Sequence, residues 1–153
     1  MTMIRPNDLL RDERGTSMIE LSFVLPIFAI MLVGVVDISR AYSQKLQMEQ
    51  AAQRAIERVQ RNGYKTADEE TIESEAAAGA GVSASNVTLD AWLECSGTKT
   101  SFTGSCSAGQ SIARYVTVEV KKNYTPFFST KYLPGGGSGT SVELTTEAGI
   151  RIQ

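Results

Sequence analysis

The sequence contains no histidine among its 153 residues, and only two cysteines, four prolines and one tryptophan. The missing histidine removes the side chain that most often acts as a general base or a metal ligand near neutral pH. Two thiols without histidine cannot complete a four-ligand zinc site. A net charge of −2 also argues against binding to nucleic acid, which requires a basic surface. We therefore expect no metal, no cofactor and no nucleic-acid partner.

A long apolar run near the N-terminus is the most informative stretch that is present. Residues 18–36 read MIELSFVLPIFAIMLVGVV, close to the roughly 20 residues that an α-helix needs to cross a bilayer. The one ionisable residue in this run is Glu20. A carboxylate in hydrocarbon is costly, so it indicates a function and a partner of opposite charge. A cut after Gly15 would place the new amino group of Thr16 about one helical turn from Glu20, in the same or a neighbouring subunit.

This arrangement resembles the class III signal peptide of type IV pilins and pseudopilins. In that pattern a short basic leader ends in glycine, glutamate is the fifth mature residue, and an apolar helix follows. The matching residues are Arg5, Arg11, Arg14, Gly15, Glu20 and Ser22 to Val36. The sequence around Glu13 to Gly15, Glu20 and Leu25-Pro26 resembles the TadE-like proteins even more closely. These are the minor pseudopilins of tight adherence (Flp) pilus systems.

The resemblance implies a processing site, a set of partners and a location. A prepilin peptidase would cut between Gly15 and Thr16, and Glu20 would pair with the Thr16 amine during assembly. The implied partners are the prepilin peptidase, other minor pseudopilins (TadF- and TadG-like), the major Flp pilin, the pilus assembly platform and membrane lipid. The implied location is the bacterial inner membrane, crossed once, with the C-terminal domain in the periplasm and, after assembly, in the extracellular pilus. The three leader arginines favour the same orientation.

Four alternatives to this interpretation have to be weighed. The run could be an uncleaved signal anchor, with Glu20 at the membrane interface. The chain could be a membrane-anchored periplasmic binding or scaffold module that never enters a filament. An enzyme has little support, because the sequence has no Gly-x-Ser-x-Gly motif, no thiol beside a base and no convincing carboxylate pair. A secretory signal peptide is disfavoured, since the run is too long for its apolar region and carries an acid.

The chain beyond the run predicts that the same helix continues with one apolar face. Apolar residues recur at helical spacing, namely Ile38, Tyr42, Leu46, Met48, Ala52, Ile56 and Val59. No helix breaker occurs before Asn62-Gly63, while Pro26 predicts a bend in the first half. We therefore divide the chain into a leader (1–15), a transmembrane and amphipathic helix (16–62) and a periplasmic α+β domain (63–153).

The remaining sequence predicts a short helix followed by strands. Thr66 to Glu69 is typical of a capping box, with Thr66 as N-cap and Glu69 reaching back, and this helix should end near Gly79 or Gly81. Alternating apolar residues predict strands at 86–94, 112–124 and 141–152. The predicted fold class is α+β and pilin-like: a long N-terminal helix, a short second helix and a small three- to four-stranded antiparallel sheet.

Two further features of this domain are candidate sites. Cys95 and Cys106 could form a disulfide in an oxidising compartment, worth about 3 kcal/mol for so short a loop; the alternative is two free buried thiols. Phe127, Phe128 and Tyr132 lie in a proline- and glycine-rich loop. They would either pack under the sheet as a satellite core or form an exposed partner-binding loop.

Overall fold

A computed structural model describes residues 14–127 and 141–153, with side chains from Met18 onward. Its helices are α1 (Arg14–Asn62) and α2 (Glu69–Ala80), and its strands are β1 (Val87–Cys95), β2 (Thr98–Ser101), β3 (Ile112–Tyr124) and β4 (Val142–Arg151). Two short 3₁₀ helices cover Thr66–Asp68 and Ala84–Asn86. The predicted α+β class is confirmed. The chain divides into two compact units, Met1–Ile38 and Ser39–Gln153.

The described part of the first unit is the N-terminal half of α1. Arg14 and Gly15, which the sequence analysis assigned to the leader, are already helical. A single glycine disfavours a helix by only about 1 kcal/mol, so it does not prevent this. Pro26 lies inside α1 and has no N–H to donate to the carbonyl of Ser22. The bend at Pro26 stays a prediction.

The second unit is built around a core of mostly small apolar residues between the two helices and one face of the sheet. The buried residues of α1 and α2 are Met48, Ala51, Ala52, Ala55, Ile56, Val59, Ile72, Ala76, Ala77 and Ala80. The sheet contributes Val87, Leu89, Val116, Val118 and Val120. Each of these positions is at least nine-tenths buried, so the domain owes its stability chiefly to this one core.

The predicted apolar face of α1 is wrong before Met48. Tyr42 is 63% exposed and Leu46 is 38% exposed, and neither joins the core. At 3.6 residues per turn, both lie about 100° or more around the helix from the middle of the face that Met48 to Val59 buries. The predicted stripe therefore joined residues that lie on two different faces of α1. Ile38, at the end of the first unit, is exposed as well.

The two helices of the second unit approach closely because small residues face each other. A methyl group added at Gly79 would lie 3.2 Å from the Cβ of Ala51. Gln47 Nε2 donates a hydrogen bond to the carbonyl of Gly79 at 3.2 Å. The Arg58 guanidinium pairs with the Glu75 carboxylate, and this hydrogen bond raises the pKa of Arg58. These contacts fix α2 along α1.

The start of α2 differs from the predicted capping box. Thr66 is the first residue of a 3₁₀ helix, and the N-cap of α2 is Asp68, whose side chain makes no capping hydrogen bond. The 3₁₀ turn, closed by Asp68 N donating to Lys65 O at 2.9 Å, moves the N-cap of α2 from Thr66 to Asp68, two residues later. The end of α2 is as predicted: Gly81 is left-handed, with φ of 64°, and its N–H donates to the last carbonyls of the helix.

The sheet has the strand order β2-β1-β3-β4, and every neighbouring pair is antiparallel. Strands β1, β3 and β4 occupy the three predicted segments. The sequence analysis did not identify β2, which pairs with the end of β1 through a two-residue turn. That turn is Ser96-Gly97, with φ of 49° and 88°. Positive φ at both central residues is typical of a type I′ hairpin, so the Ser-Gly pair was the available signal.

Gly149 on β4 allows close approach of its neighbour on β3. It lies opposite Thr117, and an added methyl group would lie 2.7 Å from Thr117 Cγ2. The adjacent Val116 carbonyl oxygen would be 3.4 Å away. An added side chain would force Thr117 to rotate or the edge strand β4 to shift, so the absence of a side chain here has a steric reason.

We predict that Gly149→Ala lowers the free energy of unfolding by about 1–3 kcal/mol, the usual cost of overpacking. In the Thr117→Ala background the same substitution should cost less than half as much, because the clashing methyl is gone. Urea unfolding of the full chain in detergent, followed by the fluorescence of Trp92, measures both. Equal costs in the two backgrounds would contradict the steric explanation.

Tyr64, between α1 and the first 3₁₀ helix, links stability to high pH. Its ring packs edge-on against Phe102 at 4.7 Å between centroids, and its hydroxyl donates to Glu69 Oε2 at 3.4 Å. Partial burial and then the negative charge of Glu69 raise the pKa of Tyr64 above its ordinary value of 10.0. The folded chain therefore holds this proton more tightly than the unfolded chain.

We predict that this contribution to stability is complete below pH 10 and is lost as the pH rises through the raised pKa of folded Tyr64. Tyr64→Phe should flatten that part of the pH dependence without abolishing folding. The measurement is the unfolding free energy of both chains between pH 8 and roughly 11, a range chosen to bracket the tyrosine pKa. Parallel curves would contradict the assignment.

Candidate functional site

Glu20 lies on an open surface of α1, inside the apolar run. Its side chain is exposed, and among the described residues no basic group lies within ion-pair distance of it. The other polar side chain nearby, Ser22, is satisfied within the helix, because its Oγ donates to the carbonyl of Met18 at 2.8 Å. Glu20 is thus the group in this run that requires an external partner in an apolar medium.

The surface around Glu20 is apolar on all sides of the helix. Large side chains such as Met18 (76% exposed) and Phe23 (73% exposed) point away from the rest of the described chain. An 18-residue window here has a mean hydropathy of 2.5, and none of it is buried. The core helix of a water-soluble domain would be covered. In the described part of the chain this one helix is long and apolar enough to cross a membrane.

The predicted processing residues Gly15 and Thr16 lie in the first turn of α1 as described. They precede Glu20 on the same helix, so the predicted spacing of about one turn between Thr16 and Glu20 is compatible with the backbone. Cleavage after Gly15, and the pairing of a freed Thr16 amine with Glu20, stay predictions.

Cys95 and Cys106 form a disulfide in this structure, with 5.5 Å between their Cα atoms. Cys95 is the last residue of β1, so the bridge closes a ring that contains β2 and its turn. Two hydrogen bonds join Ser96, inside the ring, to Ser111, beyond it. Ser96 N donates to Ser111 O at 2.9 Å, and Ser111 N donates to Ser96 Oγ at 3.2 Å. The bridge therefore fixes an edge hairpin to the end of β1.

Phe127 is the one residue of the predicted aromatic loop that the structure describes. It is 63% exposed, and the guanidinium of Arg40 lies over its ring at 4.8 Å from the centroid. Phe128 and Tyr132 lie outside the described residues. The choice between a satellite core and an exposed partner-binding loop therefore stays a prediction. Tyr124, which precedes the loop at the end of β3, is 8% exposed.

An open cleft of about 520 Å³ lies beside this aromatic contact. One wall is the stretch of α1 that contains Arg40, Ser43 and Gln44. The other is the end of β3 and the residues that follow, including Lys122 and Asn123. The sequence analysis did not predict this cleft, because its two walls are far apart in sequence.

Taken together, the structure shows an α+β domain that follows a helix whose exposed apolar N-terminal half is long enough to cross a membrane. The family model described as TadE-like protein matches residues 15–56, which confirms the TadE-like resemblance over most of α1. Residues 57–153 lie outside it. No curated protein and no solved structure matches the chain.

We predict that Cys95→Ser combined with Cys106→Ser lowers the free energy of unfolding by about 3 kcal/mol, from the loop-closure entropy of so short a ring. The core should stay folded, because among its residues only Cys95 takes part in the bridge. Urea unfolding of the oxidised, reduced and doubly substituted chains measures this. If reduction does not destabilise the oxidised chain, the bridge is not a stabilising element.

Proposed function

We propose that this protein is a minor pseudopilin that takes part in assembling or priming a tight adherence (Flp) pilus. It would be inserted in the bacterial inner membrane through the apolar half of α1, with the C-terminal domain in the periplasm. A prepilin peptidase would cut it after Gly15, and it would then join other pseudopilins on the assembly platform. In this role the protein is a substrate of an enzyme and has no catalytic activity of its own.

The observation that carries the proposal is the exposed carboxylate of Glu20 within an exposed apolar helix surface. The TadE-like match begins at Gly15 and contains both this carboxylate and the apolar run. A lone charge on such a surface would be destabilising in hydrocarbon unless another charge met it. This combination has a physical explanation if a partner chain supplies that charge.

Cleavage after Gly15 would itself create the required charge. Before the cut, the backbone nitrogen of Thr16 is a neutral amide; after the cut, it is a primary amine that is protonated at neutral pH. In a region with little water, the attraction between this amine and a carboxylate is much stronger than in solution. Processing would therefore switch on pairing between Glu20 of one subunit and Thr16 of the next.

A second function is supported by an aromatic ring on the surface of the C-terminal domain. In this alternative the domain acts as a membrane-anchored binding or scaffold module outside any filament. Phe127, 63% exposed, would be part of its binding surface. In that case Gly15 would not be a processing site.

The decisive test is the N-terminus of the full chain made with and without its prepilin peptidase, determined by intact mass and N-terminal sequencing. We expect a chain that begins at Thr16 only when the peptidase is present. With processing established, Glu20→Gln should reduce co-purification with the other pilus subunits by about tenfold or more, which corresponds to 1.4 kcal/mol of lost pairing.

Glu57→Gln is the matched control, because Glu57 is an exposed carboxylate on the same helix but beyond the apolar run. It should leave co-purification unchanged. A chain that begins at Met1 in both strains would favour the anchored scaffold module. A chain that begins at Tyr42 would show an ordinary signal peptide and would refute both membrane-anchored functions.

A further inference from the structure

We propose that the cleft between Arg40 and Lys122 binds the headgroup of an anionic phospholipid, with the phosphate between the two cations. We call it the headgroup cleft, defined by Arg40, Ser43, Gln44, Lys122, Asn123 and Thr125. The inference rests on the membrane anchoring proposed above, but it is independent of cleavage and of filament assembly.

The charge of the headgroup cleft favours an anion. Arg40 and Lys122 each carry a positive charge, and its described lining residues include no carboxylate. Among the described residues neither cation takes part in a salt bridge. Two cations at the same cleft repel each other, so an anion that meets both would stabilise them together.

Arg40 is held in an orientation suited to a phosphate. Its guanidinium stacks over the ring of Phe127 at 4.8 Å from the centroid. Stacking uses the flat face of the guanidinium and leaves its N–H edge available for the two parallel hydrogen bonds that phosphate oxygens accept. The contact with Phe127 therefore restricts the arginine without occupying its donors.

The Lys122 ammonium lies near the C-terminal end of α2. A methyl group added at Gly81, the C-cap of α2, would lie 3.9 Å from Lys122 Nζ. The C-terminal end of a helix carries a partial negative charge, which favours a cation there. The side chains of Ser43, Gln44, Asn123 and Thr125 add hydroxyl and amide groups that can bind phosphate or glycerol oxygens.

Arg40, one wall of the headgroup cleft, follows closely in sequence after the apolar run proposed to cross the membrane. Arg40 follows Val36, the last residue of the apolar run, by four positions, or about 6 Å of helical rise. The polar headgroup layer on each side of a bilayer is roughly 5–8 Å thick. Tyr42, exposed on the same helix, is of the residue type enriched in this layer. An anion at this depth is most simply the phosphate of a lipid.

The size of the cleft agrees with this ligand. Its volume of about 520 Å³ is within the range of roughly 300–1,000 Å³ that is usual for small-molecule sites. A carboxylate on a neighbouring protein subunit is the competing occupant. The two occupants can be distinguished in a bilayer that contains this protein alone. A lipid would still fill the cleft there, whereas a carboxylate of another subunit would be missing.

The test uses the ¹⁵N-labelled full chain in nanodiscs of phosphatidylcholine that contain graded fractions of phosphatidylglycerol. We expect saturable changes in the amide chemical shifts of Asn123 and Thr125 as phosphatidylglycerol increases. Arg40→Gln and Lys122→Gln should each raise the half-saturating fraction at least about fivefold, because each variant loses a charge-assisted hydrogen bond to the phosphate. Inorganic phosphate added to pure phosphatidylcholine nanodiscs should cause no comparable change.

Lys121→Gln is the matched control, because Lys121 precedes Lys122 in β3, does not line the cleft and is paired with Glu119 at 3.2 Å. It removes the same charge and should leave the half-saturating fraction within about twofold of the unsubstituted chain, far from the fivefold change above. If it acts like Lys122→Gln, the interaction is unspecific charge attraction and the site is refuted. Absent or unsaturable shifts, or an equal response to inorganic phosphate, would also refute it.

Urea unfolding keeps the test interpretable for each variant. Arg40 is exposed, so Arg40→Gln should unfold like the unsubstituted chain. Lys122 is half-buried near the end of α2, so its variant is the one to check. If Lys122→Gln is destabilised, the result for Arg40→Gln alone decides the proposal. A positive result without cleavage after Gly15 would support the lipid site while refuting the pseudopilin.

Discussion

The structure depends on the apolar surface of α1 between Met18 and Val36, which no described part of the chain covers. Exposure of so large an apolar surface to water is unfavourable. The C-terminal domain therefore has to reach its stability from a separate core. That core uses the C-terminal half of the same helix.

The C-terminal domain builds this core from small residues. Alanines of α1 and α2 face each other, and Gly79 brings the two helices close enough for Ala51 to contact it. Few large side chains are available in so short a domain, so close backbone approach replaces bulk as the source of dispersion contacts. The edge hairpin lies outside this core, and a covalent bridge holds it instead.

How much the sequence predicted depends on whether the signal was local. Strand β3 has the predicted bounds, Ile112 and Tyr124, because Val116, Val118 and Val120 alternate without interruption and all three are fully buried. The face of α1 was mistaken at Leu46, since spacing alone cannot tell which of two apolar stripes the domain covers. The start of α2 was mistaken because a 3₁₀ turn competes with a capping box built from the same residues. Glu20 was predicted from its charge within the apolar run and Gly15 from the family resemblance, whereas the contact between Arg40 and Phe127 exists only in three dimensions.

The edge position of β2 has a practical consequence for following this protein in cells. All four residues of the strand are exposed, and the Cys95–Cys106 bridge closes the ring around it. Extra residues inserted at the Ser96-Gly97 turn would lengthen a surface loop, at an entropic cost that grows only slowly with length. The pairing of β1 with β3 would be unaffected. The turn is thus a suitable place for an epitope or a fluorophore that has to report on the subunit without altering its packing.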